Sequence, residues 1–367
     1  MHNLGKVRTP LFAALREDGT SRYTSLLGCI AIAVALAGCN DEAPPTGPSM
    51  APGDRSQVMA VTSNIWQERA KMPSDRRYVT TATVDNPSGG SFLYAIGGQS
   101  MNSTQRCSGG LSKVQAYDGN SNTWSTKAPL PLPLQFSLAG VINGKIYVAG
   151  GCSGAWLADG LWEYDVGTNR WTAKASAPIS LPNPGGSVVG GKLYVFDQCS
   201  WDACNWDFNA TGRERYTFFG FYDPATNRWT RLPLPPVGVW PIAGATFTGK
   251  LYFLYYDGQV HIYTPTTGAW TTGAPRSERD LMWATAAVVT GKWYVVGQQY
   301  TSTGRVGANF LSVYDPAANT WVKRATPPAE YISGWNGPGA GRLWAGGVAR
   351  LELVGGSRPD NNWQYTP

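Results

Sequence analysis

KIYVAGGCSGAWLADGLWEYDVGTNRW, residues 145–171, sets the period of the whole chain. Its first half is an apolar, β-branched run ended by Gly150 and Gly151. Its second half carries Tyr164-Asp165, then Asn169 and Trp171. Runs this short, rich in Val, Ile and Tyr and bounded by Gly and Asn, read as strands rather than helix. In the second half the Tyr ends one strand, the Asp opens a turn, the Asn tolerates a left-handed backbone and the Trp begins the returning strand. That is a hairpin.

Both halves recur. The hairpin half returns as Tyr117-Asp118 with Asn122 and Trp124, Tyr222-Asp223 with Asn227 and Trp229, and Tyr314-Asp315 with Asn319 and Trp321. A degenerate copy has Tyr263, Thr264, Gly268 and Trp270, and the Tyr-to-Trp spacing is seven in every copy. Near the two ends of the chain, Asn64-Ile65-Trp66 and Asn361-Asn362-Trp363 match its second half. The strand half returns as FLYAIGG (92–98), KLYVFDQ (192–198), KLYFLYY (250–256), KWYVVGQ (292–298) and RLWAGG (342–347). Most copies follow a turn such as Asn143-Gly144 or Thr248-Gly249, and successive copies lie 42 to 58 residues apart. One sheet of this size cannot bury both faces, so the copies must stack on one another. Composition agrees: 15% of the residues are charged, against 44 Gly, 26 Pro, 16 Trp and 18 Tyr in 367, which suits short aromatic strands joined by tight turns.

The glycine pair after an apolar strand, the Tyr-Asp turn and the trailing Trp resemble the Kelch repeat, whose period is about 50 residues. The resemblance spans roughly residues 62–366, although the third and fourth copies lack the glycine pair and the last is irregular. It implies an all-β fold, a Kelch-type β-propeller of six four-stranded blades, with seven as the alternative count. Seven Trp-bearing strands compete for six outer positions. Either the strand around Trp66 or the one around Trp363 is expected to complete the last blade, leaving the other extra.

Upstream of the repeats, Lys6, Arg8, Arg16 and Arg22 precede an apolar stretch, residues 26–36, that ends in Leu36-Ala37-Gly38-Cys39. This is the layout of a secretory signal, too short to span a bilayer comfortably. LAGC resembles the lipobox of bacterial lipoproteins, which implies a lipid on Cys39. The expected organisation is a leader over 1–38, a lipidated and flexible tether over 39–60, and the propeller over 61–367. The implied location is the bacterial cell envelope, periplasmic or at the cell surface, with the lipid in the membrane. Glu17 and Asp18 are unusual in such a leader and leave the start codon open.

Without residues 1–38 the formal charge of +6 falls to about +4, and no basic run remains. No nucleic-acid partner is expected, and the chain is expected to be a monomer. Four cysteines remain beyond Cys39: Cys107, Cys152, Cys199 and Cys204. In an oxidising compartment they suggest two disulfides with three possible pairings. The repeat register favours Cys107 with Cys152, and Cys199 with Cys204.

In an up-and-down blade, the loops joining strands two and three share a face with those leading to the next blade. Here the two-to-three loops at 99–113, 198–216 and 298–310 are long, whereas the one-to-two connections at Asn143-Gly144, Gly190-Gly191, Thr248-Gly249 and Thr290-Gly291 are short. Long loops on a rigid scaffold are where binding concentrates. The repeat Trp residues are assigned to packing. The ligand-binding candidates are Arg76, Arg77, Trp201, Trp206, Arg213, Trp240, Arg279, Trp283, Tyr331 and Trp335, because aromatic planes beside arginines suit sugar rings and their hydroxyls. Beyond the leader the one histidine is His261, which cannot build a multi-histidine metal centre. No Walker or Rossmann glycine spacing precedes a helix, so neither a metal nor a cofactor is expected.

The leading reading is therefore an envelope-anchored module that binds a glycan or an envelope protein. In size, export signal and blade count the chain is also similar to the periplasmic sialic acid mutarotases. That resemblance implies, as the alternative, a cofactor-free sugar enzyme using a carboxylate and an arginine, with Glu214 beside Arg213 or Arg215, or Glu278 beside Arg279.

Overall fold

β1 (Ile65–Glu68) opens a computed structural model that describes residues 63–103, 107–153, 156–198, 217–236, 241–277, 281–300, 306–328, 339–356 and 360–367. The leader, the tether and Cys39 lie outside the described residues. Blade 1 is β2 (Thr80–Asp85), β3 (Ser91–Ile96), β4 (Val114–Asp118) and β5 (Thr123–Lys127). Blade 2 starts with β6 (Leu138–Ile142) and β7 (Lys145–Ala149), carries a small ribbon of β8 (Cys152–Ser153) and β9 (Trp156–Leu157), and ends with β10 (Leu161–Asp165) and β11 (Arg170–Lys174). Blade 3 is β12 (Gly185–Val189), β13 (Lys192–Gln198), β14 (Thr217–Asp223) and β15 (Arg228–Arg231). Blade 4 is β16 (Pro241–Phe247), β17 (Lys250–Tyr255), β18 (Val260–Thr264) and β19 (Ala269–Gly273). Blade 5 is β20 (Leu281–Val289), β21 (Lys292–Tyr300), β22 (Val306–Asp315) and β23 (Thr320–Lys323). Blade 6 is β24 (Gly339–Ala345), β25 (Val348–Val354) and β26 (Asn362–Thr366), completed by β1.

The six sheets form a closed, antiparallel six-bladed propeller. Two expectations about its last blade need correction. Neither terminal Trp strand is extra: β1 with Trp66 is the outer strand, and β26 with Trp363 is the third strand beside it. The sixth glycine pair is not Gly346-Gly347, which makes the β24–β25 turn with φ of 56° and 75°. It is Gly355-Gly356, after the true second strand. A Cβ on Gly355 would sit 2.7 Å from the Arg76 carbonyl, as one on Gly97 would sit 2.4 Å from that of Leu134, because the next blade's backbone crosses there. A glycine pair serves equally as a left-handed turn or as a crossing point, and the pattern alone does not separate the two.

The repeat hairpin does more than reverse the chain. Asn169 sits at φ 55°, where its side chain turns inward. Its Oδ1 accepts from the Tyr164 hydroxyl at 2.6 Å and from the N–H of Ala128 at 2.8 Å, while Trp171 Nε1 donates to the Ala128 carbonyl at 2.9 Å. Ala128 leaves the preceding blade, so the hairpin clamps both backbone polar groups of its neighbour. The same clamp joins Asn122 and Trp124 to Ala70, Asn227 and Trp229 to Ala175, and Asn319 and Trp321 to Ala274. In degenerate blade 4, Gly268 keeps the left-handed turn at φ 69°, and Trp270 packs in the cluster that holds Leu232.

A further clamp is split across the chain. Asn64 and Trp66 hold Ala325, and Asn64 Oδ1 accepts from the hydroxyl of Tyr365 at 2.7 Å. Tyr365 pairs with Trp66 as Tyr164 pairs with Trp171, so blade 6 builds its hairpin motif from the two ends of the propeller.

Apolar cores lie between blades. One cluster joins Tyr94 and Ile96 of blade 1 to Ile146, Val148 and Tyr164 of blade 2. Equivalent clusters fill the other joints among the described residues. Burying one large apolar side chain is worth about 1.5–3 kcal/mol, and a net hydrogen bond about 0.5–1.5 kcal/mol. The cores therefore supply most of the stability, and the clamps fix how each blade seats on the last. Asn169→Ala removes two bonds and leaves a less tolerant residue at positive φ, so urea unfolding should show a loss of about 1–3 kcal/mol. Arg170→Ala, exposed in the same hairpin, should stay within about 0.5 kcal/mol of the parent.

Candidate functional site at the loop-rich face

The inner strands β2, β6, β12, β16, β20 and β24 surround a channel of about 470 Å³. Each has one sheet partner, so its free edge of backbone groups faces the axis, and small side chains such as Gly140, Gly186, Gly244 and Ala286 line the wall. Hydroxyls bridge neighbouring inner strands: Thr80 bonds Ser137, Thr83 donates to the Arg342 carbonyl, and Thr246 to that of Val188. The wall is therefore rigid and its chemistry mostly backbone.

The chemistry gathers where the lead-in segments reach this channel on the long-loop face. Tyr78 and Phe136 occupy the same register in blades 1 and 2, at φ 54° and 58°, with ring centroids 4.3 Å apart. A bulky residue at positive φ is costly and marks a position held by its surroundings. The Arg77 guanidinium lies 5.4 Å from the Tyr78 ring, donating from Nε to Gln99 Oε1 at 2.8 Å and from Nη2 to the Ser103 carbonyl at 2.6 Å. Beside them Cys107 and Cys152 form the expected disulfide, tying the two-to-three loops of blades 1 and 2, with Cα atoms 5.3 Å apart.

Arg76, expected among the ligand contacts, has a structural role instead. It is fully buried, donating to the carbonyls of Gly97, Lys113 and Ala95 and to Gln115 Oε1. The geometric reason is that three strand-end carbonyls of blade 1 converge on its guanidinium. Burial lowers its pKa to about 10, which leaves it charged at neutral pH. Arg276 is likewise buried, 3.7 Å over the Phe310 ring and bonded to Ser312 Oγ.

Blades 3 to 5 depart from the repeat at the glycine pair. Asp197 stands in the first glycine's place, 1% exposed, and its carboxylate accepts from the N–H of Asn183 at 3.0 Å. Tyr255 takes that place in blade 4 and packs edge-on against His261, ring centroids 4.8 Å apart. His261 lies within β18, and burial lowers its pKa, with Asp257 opposing. In blade 5 Gln298 follows Gly297 and donates to Asn309 Oδ1 at 2.9 Å. Sequence reasoning passed over Tyr78, Phe136, Asp197 and Gln298. The missing glycines were the signal that could have found the last two.

Trp201, Trp206, Arg213, Glu214, Arg215, Trp240, Glu278, Arg279, Tyr331, Trp335, Cys199 and Cys204 lie outside the described residues. Trp283 falls in β20 where pairing skips from Met282 to Thr285. At the opposite, short-turn end of blade 2, Glu163 meets Lys145, Tyr147 and Lys174. Burial pushes its pKa up, but these three partners outweigh that and bring it down to about 2, so it is a satisfied anion rather than an acid or base for chemistry. Among the described residues no cluster of His, Cys, Asp and Glu could hold a metal.

Comparison with known proteins agrees with this architecture. Residues 135–178 match the Kelch motif. The chain is 31% identical over 110 residues to a putative F-box/kelch-repeat protein of Arabidopsis thaliana, covering 30% of this chain and 29% of that protein. It is 39% identical over 59 residues to Kelch-like protein 25 of Xenopus tropicalis, covering 16% and 9%. The chain thus spans less than a third of the length of these relatives. Among solved structures it resembles that of YjhT, with a TM-score of 0.59 and 17% identity over 80% of this chain and 94% of the other, a likeness of fold.

Arg76 stands where blades 2 and 3 carry Leu134 and Leu181, whose carbonyls crowd Gly97 and Gly150 as that of Arg76 crowds Gly355. Arg76→Leu would restore the repeat residue yet strand the four acceptors. Urea unfolding should show a loss of about 2–4 kcal/mol, and an unchanged midpoint would remove the structural role.

Proposed function

We propose that this protein is a binding module that takes a glycan or a protein partner on the long-loop face of its propeller. The observation that carries the reading is the asymmetry of the repeat. Blades 1, 2 and 6 keep both glycines where the next blade crosses, while blades 3, 4 and 5 replace one or both with Asp197-Gln198, Tyr255-Tyr256 and Gln298. A repeat that abandons its packing rule on one face and one side of the ring has another demand there. The long loops at 198–216 and 298–310, with Arg213 and Trp201 among their residues, belong to the same blades. The LAGC leader supports placing the module in the bacterial envelope, anchored through a lipid on Cys39, as a monomer.

A second reading, a cofactor-free sugar enzyme of the sialic acid mutarotase type, draws support from the six-blade count and from the Glu214–Arg215 and Glu278–Arg279 pairs. A glycan array joined to an anomer-exchange assay by NMR separates the two. The binding reading expects captured glycans whose affinity falls roughly tenfold or more in Trp240→Ala and Arg279→Ala, with Lys192→Ala on the opposite face unchanged. A protein ligand would appear instead as a crosslinked envelope partner lost in the same variants. Equal binding by all variants would contradict a site on this face. Faster exchange of sialic acid anomers on adding protein would establish the enzymatic reading, and an unchanged rate would eliminate it.

A further inference from the structure

Five of the six joints share one aromatic contact. The second-strand tyrosine of each blade meets the hairpin tyrosine of the next: Tyr94 with Tyr164, Tyr147 with Tyr222, Tyr194 with Tyr263, Tyr252 with Tyr314, and Tyr294 with Tyr365. Counting back from the glycine pair, the residue at this place in blade 6 is Glu352. It faces the joint with blade 1, where Tyr117 is the hairpin tyrosine. The register confirms the equivalence, since Glu352 pairs with Gln364 as Tyr94 pairs with Ala116. The repeat has thus put a carboxyl where it otherwise puts a phenol, at the joint that closes the ring.

Glu352 is fully buried. Gln364 donates to its Oε2 at 2.9 Å, while Oε1 has no donor. Diagonally across the same strand pair, Asn362 Oδ1 is also buried without a donor. Two neighbouring acceptors that both lack a hydrogen are what a carboxylic acid completes: its O–H gives one oxygen a proton and the other a donor. The charged groups facing Glu352 are Arg350 on its own strand and Arg69 in the segment after β1. Arg69 is engaged by its Nε with the Tyr117 hydroxyl at 3.1 Å. Tyr117 faces the carboxyl from blade 1, and burial followed by the Glu352 charge pushes its pKa up to about 12. The nearby ions Arg342 with Asp85 and Lys71 with Asp360 pair with each other.

We propose that the joint between blades 6 and 1 is a pH-sensitive latch, shut while Glu352 is a neutral acid shared with Asn362 and loosened when Glu352 ionises. Burial, opposed by Gln364, Arg69, Arg350 and, least, the Asn362 side chain, raises its pKa from 4.5 to about 8. A raised folded-state value means that the proton's stabilising contribution is complete below about 4.5 and is lost as pH rises through about 8. Arg69 and Ala70 follow directly on β1, so loosening acts first on the strand that closes the ring.

Hydrogen exchange of the full chain, corrected for intrinsic rates, tests this at about pH 6 and about pH 9.5. The wild type should lose about tenfold or more protection in β1 and β26 relative to blades 2 and 3, since one pKa unit is a factor of ten. Glu352→Gln, which carries its own donor, should show no such change, and Glu352→Tyr should restore the sixth aromatic contact and abolish the pH dependence. Infrared spectra of the wild type provide a reading that needs no variant: a protonated carboxyl band at neutral pH that disappears over the same range. PH-dependent exchange that persists in Glu352→Gln, or the lack of that band, would overturn the latch.

Discussion

Asn64 and Tyr365 are 301 residues apart in the chain, yet a 2.7 Å hydrogen bond joins them. Through that bond the two ends of the propeller complete one hairpin motif, and the rest of the molecule depends on it. Each clamp sets the seat of one blade on the next, and in a ring those steps must add up so that the last blade meets the first. The channel width follows from that closure, as do the loops that share a face. Cores between blades provide the larger free energy, but an apolar contact has little direction. Asn Oδ1 and Trp Nε1 reach one alanine's N–H and carbonyl in only one arrangement.

The same economy explains why the two faces differ. At the short-turn end blades 2 to 6 repeat two-residue turns with both residues at positive φ, as at Asn143-Gly144 and Thr290-Gly291, and lysine–aspartate pairs such as Lys192 with Asp223 and Lys292 with Asp315 recur beside them. That end is constrained by the repeat. At the other end the strands finish and the repeat lets go, so glycine pairs survive only where the neighbouring backbone crosses closely. Asp197 and Tyr255 show that a blade can place a buried side chain where others keep the first glycine. Arg76 shows the reverse, a residue that looks like a surface cation and is spent on three carbonyls of its own blade.

Much of this was legible in the residues because a hairpin motif is local. Seven residues from Tyr to Trp, with Asn between, specify a turn wherever they occur, and the Cys107–Cys152 pairing followed from counting strands. What stayed hidden depends on distance or on ambiguity. The sixth hairpin is divided between Asn64-Ile65-Trp66 and Tyr365, and no window of sequence contains both. Gly346-Gly347 and Gly355-Gly356 are the same dipeptide, one turning a chain and one passing under the Arg76 carbonyl. Arg76 and Arg77 are adjacent and alike, and only the backbone of blade 1 decides that the first is enclosed while the second reaches Gln99.

Closure by a split motif can be tested by removing one half of it. A chain starting at Arg69 keeps every residue of blades 1 to 5 and three strands of blade 6, and lacks only the N-terminal part up to β1. If the split clamp closes the ring, this chain should unfold at markedly lower urea than the intact protein, with a smaller and less cooperative transition, and scattering should show an expanded particle under native conditions. An unfolding curve and radius matching those of the intact protein would contradict the account, since the ring would then close without Asn64 and Trp66.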